Sequence, residues 1–204
     1  MNGLYAITPD MTSTQALEDV VRQALAGGIA LLQYRNKLAD SALRREQASA
    51  LLRMARARGV PLIVNDDVAL AAAIDADGAH VGRDDGAIAA ARRALPGKLL
   101  GASCYASLEA AQAAVLEGAD HVAFGSVFAS ATKPGAPRAP LALFARARAL
   151  GVPLVAIGGI TAGNAAEVLA AGADCVAVIA DLFGAPDIAG RAAAYRKLFA
   201  KGPA

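Results

Sequence analysis

Apolar residues in this chain fall into short blocks separated by longer Ala-rich stretches with charges at helical spacing. The blocks read "GLYAIT", "IALLQY", "PLIVN", "GAHVG", "KLLGAS", "DHVAF", "PLVAI" and "DCVAVI". They are continuous rather than alternating, as expected of strands in a parallel sheet covered on both faces. They place eight strands at roughly 3–7, 29–34, 61–64, 78–82, 98–102, 120–124, 153–157 and 174–179. Between most of them lie segments of helical period. "TQALEDVVRQALAG" follows Ser13, which suits an N-cap. In "ALAGGIALLQY", "ARARGVPLIVN", "DADGAHVG", "VLEGADHVAFG", "RALGVPLVAIG" and "LAAGADCVAVI" a Gly stands where a helix would stop in a left-handed turn.

Eight strand–helix units without a break in composition predict one domain over 1–204, a single (β/α)8 TIM barrel of the α/β class. An open doubly wound sheet would usually carry a Gly-rich turn after its first strand, and "AITPDMTS" offers none.

Composition narrows the function. Of the residues 56% are hydrophobic, largely through Ala, yet no apolar run approaches the roughly 18 residues of a membrane span. The start lacks the basic and apolar regions of a signal peptide, and the cytoplasm is the expected compartment. Net charge is +2 with signs mixed, and with four Tyr, five Phe and no Trp there is no basic stripe with stacking aromatics, so nucleic acid is not an expected partner. Cys104 and Cys175 lie far apart and read as small buried side chains. An Ala-rich helix face serves equally as core or as a contact between copies, which keeps a homo-oligomer open.

In such a barrel, chemistry sits at the C-terminal ends of the strands. There the sequence gathers Gln33, Arg35, Asn36 and Lys37; Asn65, Asp66 and Asp67; Arg83, Asp84 and Asp85; Ser103; Lys133 in "SATKPGAPR"; and the "GGIT" and "VIAD" turns. Arg binds phosphate bidentately and Lys as a point charge. Asp66 and Asp85 offer hard oxygens to Mg2+. The Gly158–Gly159 turn exposes backbone N–H groups to an anion. Two anion sites suit two phosphorylated substrates, or one with a phosphate at each end. The paired aspartates equally suit helix N-caps. His80 and His121 sit inside strands and are expected to be structural.

Taken in order and spacing, "LYAITPD", "LLQYRNK", "LIVNDDVALA", "DGAHVGRDD", "GASCYAS", "VAFGSVFASATKP", "VAIGGIT" and "AGADCVAVI" closely resemble the thiamine phosphate synthase family over nearly the whole chain. The resemblance implies a transferase that joins hydroxymethylpyrimidine diphosphate to a thiazole phosphate, releasing diphosphate, with Mg2+ as cofactor. It implies that Gln33, Tyr34, Arg35, Asn36, Lys37, Asn65, Ser103 and Lys133 contact the pyrimidine diphosphate, with Arg35, Lys37, Lys133 and Ser103 catalytic. It implies Asp66 and Asp85 as the metal ligands, and Ser130, Thr132, Gly159, Ile179 and Ala180 as the thiazole phosphate pocket. Four positions depart from the family's usual residues: Ala180 for Ser, Ser130 for Thr, Asn36 for Glu and Tyr34 for Leu. The alternatives are a thiazole tautomerase-like isomerase, a Schiff-base aldolase using Lys133 or Lys37, and a phosphate-binding barrel without turnover. The segment 130–140 has the Gly/Pro composition of a loop that closes over substrates.

Overall fold

The computed structural model describes residues 1–82, 86–129 and 138–200. Its strands are β1 Gly3–Ile7, β2 Leu31–Tyr34, β3 Leu62–Asn65, β4 Gly78–Val81, β5 Leu99–Tyr105, β6 His121–Phe124, β7 Leu154–Ile157 and β8 Cys175–Val178. Each pairs in parallel with the next, and β8 pairs with β1, closing the barrel. The expected fold and strand order are present.

Two apolar layers hold it. Inside the barrel, Tyr5, Ile7, Leu31, Ile63, Ala123, Val155, Cys175 and Ala177 pack together. A larger layer fills the space between the barrel and its helices, including Leu17, Leu51, Phe124, Phe144 and Tyr195. The helices are α1 Thr14–Gly27, α2 Ser41–Arg56, α3 Val68–Ala73, α4 Ile88–Ala94, α5 Leu108–Leu116, α6 Ala142–Ala147, α7 Ala165–Ala170, α8 Ala180–Phe183 and α9 Ile188–Ala200. Ser13 caps α1 through a bond from Ala16 N–H.

The left-handed stop is found at Gly28, Gly59, Gly118, Gly151 and Gly172. In "DADGAHVG" the turn is made instead by Asp75, at φ 57°, a conformation that Asp tolerates better than most residues. Gly78 there opens β4, where an added Cβ would lie 2.0 Å from the Leu99 carbonyl oxygen. Strand β5 runs three residues past its expected end through a bulge between Ser103 and Tyr105.

The N-terminal rim carries a repeated clasp. Asp77, Asp120 and Asp174 each precede a strand and accept the N–H of a residue at the start of the preceding one: Leu62 at 2.8 Å, Leu100 at 2.7 Å and Leu154 at 2.8 Å. Each also pairs with an arginine from a neighbouring helical segment, Arg56, Arg92 and Arg148 respectively. The corresponding position ahead of β2 is Ala30, which has no carboxylate to offer.

Candidate active site

At the opposite rim, β2 ends in a stretch held from below by the loop after β1. Thr8, fully buried, grips the backbone of Arg35 twice. Its hydroxyl donates to the Arg35 carbonyl at 2.8 Å and accepts the Arg35 N–H at 2.9 Å. Asp10 accepts from Arg35 Nη1 at 3.0 and 3.1 Å and from the Lys37 N–H at 2.7 Å. Neither residue stood out in the sequence. Their signal is positional, since they follow the first strand of a barrel whose second strand carries the cations.

Lys37 reaches toward β3, its Nζ 3.4 Å from Asp66 Oδ2. Cations from β2 and a carboxylate from β3 therefore share one mouth. The aspartate pair after β3 divides its work. Asp67 is the N-cap of α3, accepting from Leu70 N–H at 2.8 Å. Asp66, at φ 63°, turns the other way and puts its carboxylate on the rim.

Strand parity separates the rest of "QYRNK". Gln33 points into the barrel and donates to the Tyr5 hydroxyl at 2.7 Å. Tyr34 and Asn36 point outward. Tyr34 donates to Gln47 Oε1 of α2 at 2.9 Å. The Asn36 amide donates to that oxygen at 2.9 Å and to the Met11 carbonyl at 2.6 Å. The structure thus gives these two side chains partners on α2 and the first loop, away from the barrel axis. A groove of about 540 Å3 runs outward from the mouth here, lined by Lys37, Asn65 and Asp66 on the inner side and by Tyr34 and Arg44 on the outer.

Inside the mouth, His80 Nε2 lies 2.9 Å from Ser103 Oγ, within hydrogen-bond reach of the expected substrate-contacting hydroxyl. His80 was expected to be packed or hydrogen-bonded in a structural role, and the Ser103 hydroxyl is its hydrogen-bond partner. His121 lies beneath it, with ring centroids 5.6 Å apart. A Cβ at Gly101 would fall 2.3 Å from His80 Nδ1 and 2.2 Å from His121 Nε2, so only glycine leaves room for both rings. Both ring nitrogens of His121 are buried without a hydrogen bond. Burial, and then the neighbouring His80, push its pKa down to about 3, which keeps it neutral. Cys104 and Cys175 are buried thiols, as expected, and burial pushes each up to about 12.

Across the barrel, Gly158 and Gly159 leave β7 at φ 100° and 64°. They pack under the segment after β6, whose Val127 and Phe128 N–H groups bond the carbonyls of Ile157 and Gly158 at 3.0 Å. Ile179 precedes α8 and Ala180 is its first residue. Asp181 ties this corner together: it accepts from Arg191 Nη1 at 2.8 Å, from the Tyr195 hydroxyl at 2.8 Å and from Ala162 N–H at 3.2 Å. Asp85, Ser130, Thr132 and Lys133 lie outside the described residues, as does the 130–137 part of the expected closing segment.

Comparison with known proteins agrees with this geometry. Residues 4–182 match the family model described as thiamine monophosphate synthase. A thiamine-phosphate synthase of Methylobacillus flagellatus is 58% identical over 200 residues, covering 98% of this chain and 96% of its own. One of Aromatoleum aromaticum is 58% identical over 201 residues, covering 98% and 97%. Among solved structures, a thiamine phosphate pyrophosphorylase from Pyrococcus furiosus superposes with a TM-score of 0.88 at 35% identity, covering 98% of this chain and 96% of that one. With Arg35, Lys37 and Asp66 gathered at the mouth of a closed eight-stranded barrel, and with relatives this similar over nearly full length, the chain belongs to the thiamine monophosphate synthase family.

Proposed function

We propose that this barrel is a transferase of thiamine biosynthesis. It joins 4-amino-2-methyl-5-hydroxymethylpyrimidine diphosphate to a thiazole phosphate and releases diphosphate, giving thiamine phosphate. The observation that carries the reading is the 3.4 Å approach of Lys37 to Asp66, which brings the β2 cations and the β3 carboxylate to one mouth. That mouth belongs to a chain whose relatives are thiamine-phosphate synthases.

The chemistry needs little from acids and bases. An electron-rich pyrimidylmethyl carbon parts from diphosphate, so negative charge grows on the leaving oxygens and positive charge on the ring. Arg35 and Lys37, with Lys133, hold those oxygens, and each such stabiliser is worth on the order of 3 kcal/mol. Ser103, backed by His80, and Asn65 orient the pyrimidine. The thiazole nitrogen then attacks the cation, a step that depends on positioning. The Gly159 turn and the start of α8 at Ile179 and Ala180, with Ser130 and Thr132, receive the second phosphate. Ala180 brings no hydroxyl, leaving backbone N–H groups to serve there.

Asp66 suits Mg2+: it is a hard-oxygen donor on the open rim that already neighbours a cation. Asp85 is the second ligand in this reading. Among the described residues no three His, Cys, Asp or Glu side chains cluster closely enough to hold a metal, so water and phosphate oxygens would complete the shell. When bound, Mg2+ would neutralise the leaving group's charge.

No described helix is long and apolar enough to cross a membrane. The cytoplasm is the compartment we assign, and small phosphorylated molecules are the partners. A homo-oligomer is compatible with the described site. The test is direct: purified protein, both substrates and Mg2+, with diphosphate release measured. Release that requires both substrates supports the transferase. No release with either substrate pair supports a barrel without turnover, and isomerisation of a thiazole phosphate alone supports the tautomerase-like alternative.

A further inference from the structure

Arg35 is one of the cations on which the proposed chemistry leans, and its guanidinium is only partly held by the described residues. Asp10 takes Nη1, and among the described residues no other group accepts from Nη1, Nη2 or Nε. One corner of the fork is pinned while the described residues leave the Nε–Nη2 edge without an acceptor, and that edge is the one that can meet a phosphate with two parallel bonds. The side chain is 19% exposed and that of Asp10 29%, so the pair is shielded enough to keep a fixed geometry but still reaches the mouth. The same carboxylate accepts the Lys37 N–H at 2.7 Å, which fixes the backbone from which the second cation springs. Thr8 completes the frame by holding the Arg35 backbone on both sides. A carboxylate beside an anion site would by charge alone weaken binding. Its place here makes sense if orientation outweighs repulsion, as it does where a transition state must be met without reorganisation.

We propose that Asp10 is a positioning residue for the diphosphate end of the first substrate, acting through Arg35 and the Lys37 backbone without touching the reacting atoms. This rests on the transferase reading. The experiment is a double-mutant cycle in the full chain, with kcat and both KM values measured for wild type, Asp10→Ala, Arg35→Ala and the double variant. Asp10→Ala is expected to lower kcat/KM for the pyrimidine diphosphate about tenfold or more while leaving KM for the thiazole phosphate within about twofold. In the Arg35→Ala background the same change is expected to cost less than about twofold, because its main target is gone.

Asp10→Asn retains an acceptor for the Lys37 N–H but loses the charge that pins Arg35. It should fall between wild type and Asp10→Ala, and it carries the test if the alanine variant does not fold. Wild-type kinetics in the Asp10 variants would overturn the proposal. So would full additivity with Arg35→Ala, or equal losses toward both substrates, the mark of a general loosening. A wild-type protein with no turnover would instead overturn the transferase reading. In that event inorganic diphosphate binding with Mg2+, measured calorimetrically, still decides on Asp10: weaker binding in Asp10→Asn than in wild type supports it, and equal or tighter binding overturns it.

Discussion

His121 shows how far one buried ring can set the pH range of a fold. Its pKa lies near 3 in the barrel and near 6.5 in an unfolded chain. Below about pH 6.5 the unfolded chain takes up a proton that the folded chain refuses, so stability falls by roughly 1.4 kcal/mol per pH unit until the folded value is reached. By pH 5 the loss from this residue is about 2 kcal/mol. Replacing His121 with Asn should remove that slope, and urea midpoints at pH 7 and pH 5 for both proteins check it. An unchanged pH dependence would count against the assignment. Asp66 calls for a different probe. Its left-handed backbone is tolerated by Asp, Asn and Gly, so Ala would add strain to the loss of a carboxylate. Asp66→Asn is the cleaner variant. It should raise the Mg2+ concentration needed for half-maximal turnover about tenfold or more and weaken Mn2+ binding measured by electron paramagnetic resonance. Metal dependence like that of wild type would remove Asp66 from the ligands.

The elements explain both what the sequence revealed and what it concealed. Continuous apolar blocks marked all eight strands because both faces of a barrel strand are buried. The rim residues Arg35, Lys37 and Asp66 were legible together, because surface charges and helix caps explain any one of them but not several at the same end of the strands. The alternation that sends Gln33 inward turns Tyr34 and Asn36 outward, where Tyr34 meets Gln47 of α2, and both line the groove they share with Lys37, Asn65 and Asp66. Thr8 and Asp10 stayed hidden because their role depends on the 27-residue separation closed by β1–β2 pairing, which no local pattern announces. Glycines also hide distinct demands. Gly27 ends α1 against α9, where a Cβ would lie 2.3 Å from the Ala189 carbonyl oxygen and 2.5 Å from Ala192 Cβ. Gly59, at φ 66°, has open space around it. Gly27→Ala should therefore cost about 1–3 kcal/mol by wedging two helices apart, and Gly59→Ala about 1 kcal/mol from backbone strain alone. Chemical denaturation of the two variants tests the order.

Across the whole molecule, chemistry and architecture occupy opposite rims. The clasps of Asp77, Asp120 and Asp174 lie far from the mouth in each strand's direction, so altering one should weaken the fold and spare the reaction. Asp120→Ala leaves the Leu100 N–H and Arg92 without their carboxylate and should lower stability by about 1–3 kcal/mol. Turnover at 25 °C is expected to stay within about twofold of wild type, and kcat beside a thermal melt reads both. The clasp also has a consequence for how the ring gives way. Three alternate strand pairs, β3–β4, β5–β6 and β7–β8, are stapled at their base, while the pair β1–β2 that begins the chain has Ala30 in the stapling position and depends on α1 resting against α9. The joint of the first and second strands is then where the ring is expected to part first. Thr8 and Asp10 hang from that same first strand, so its early loosening would disarm Arg35 before the rest of the wall parts.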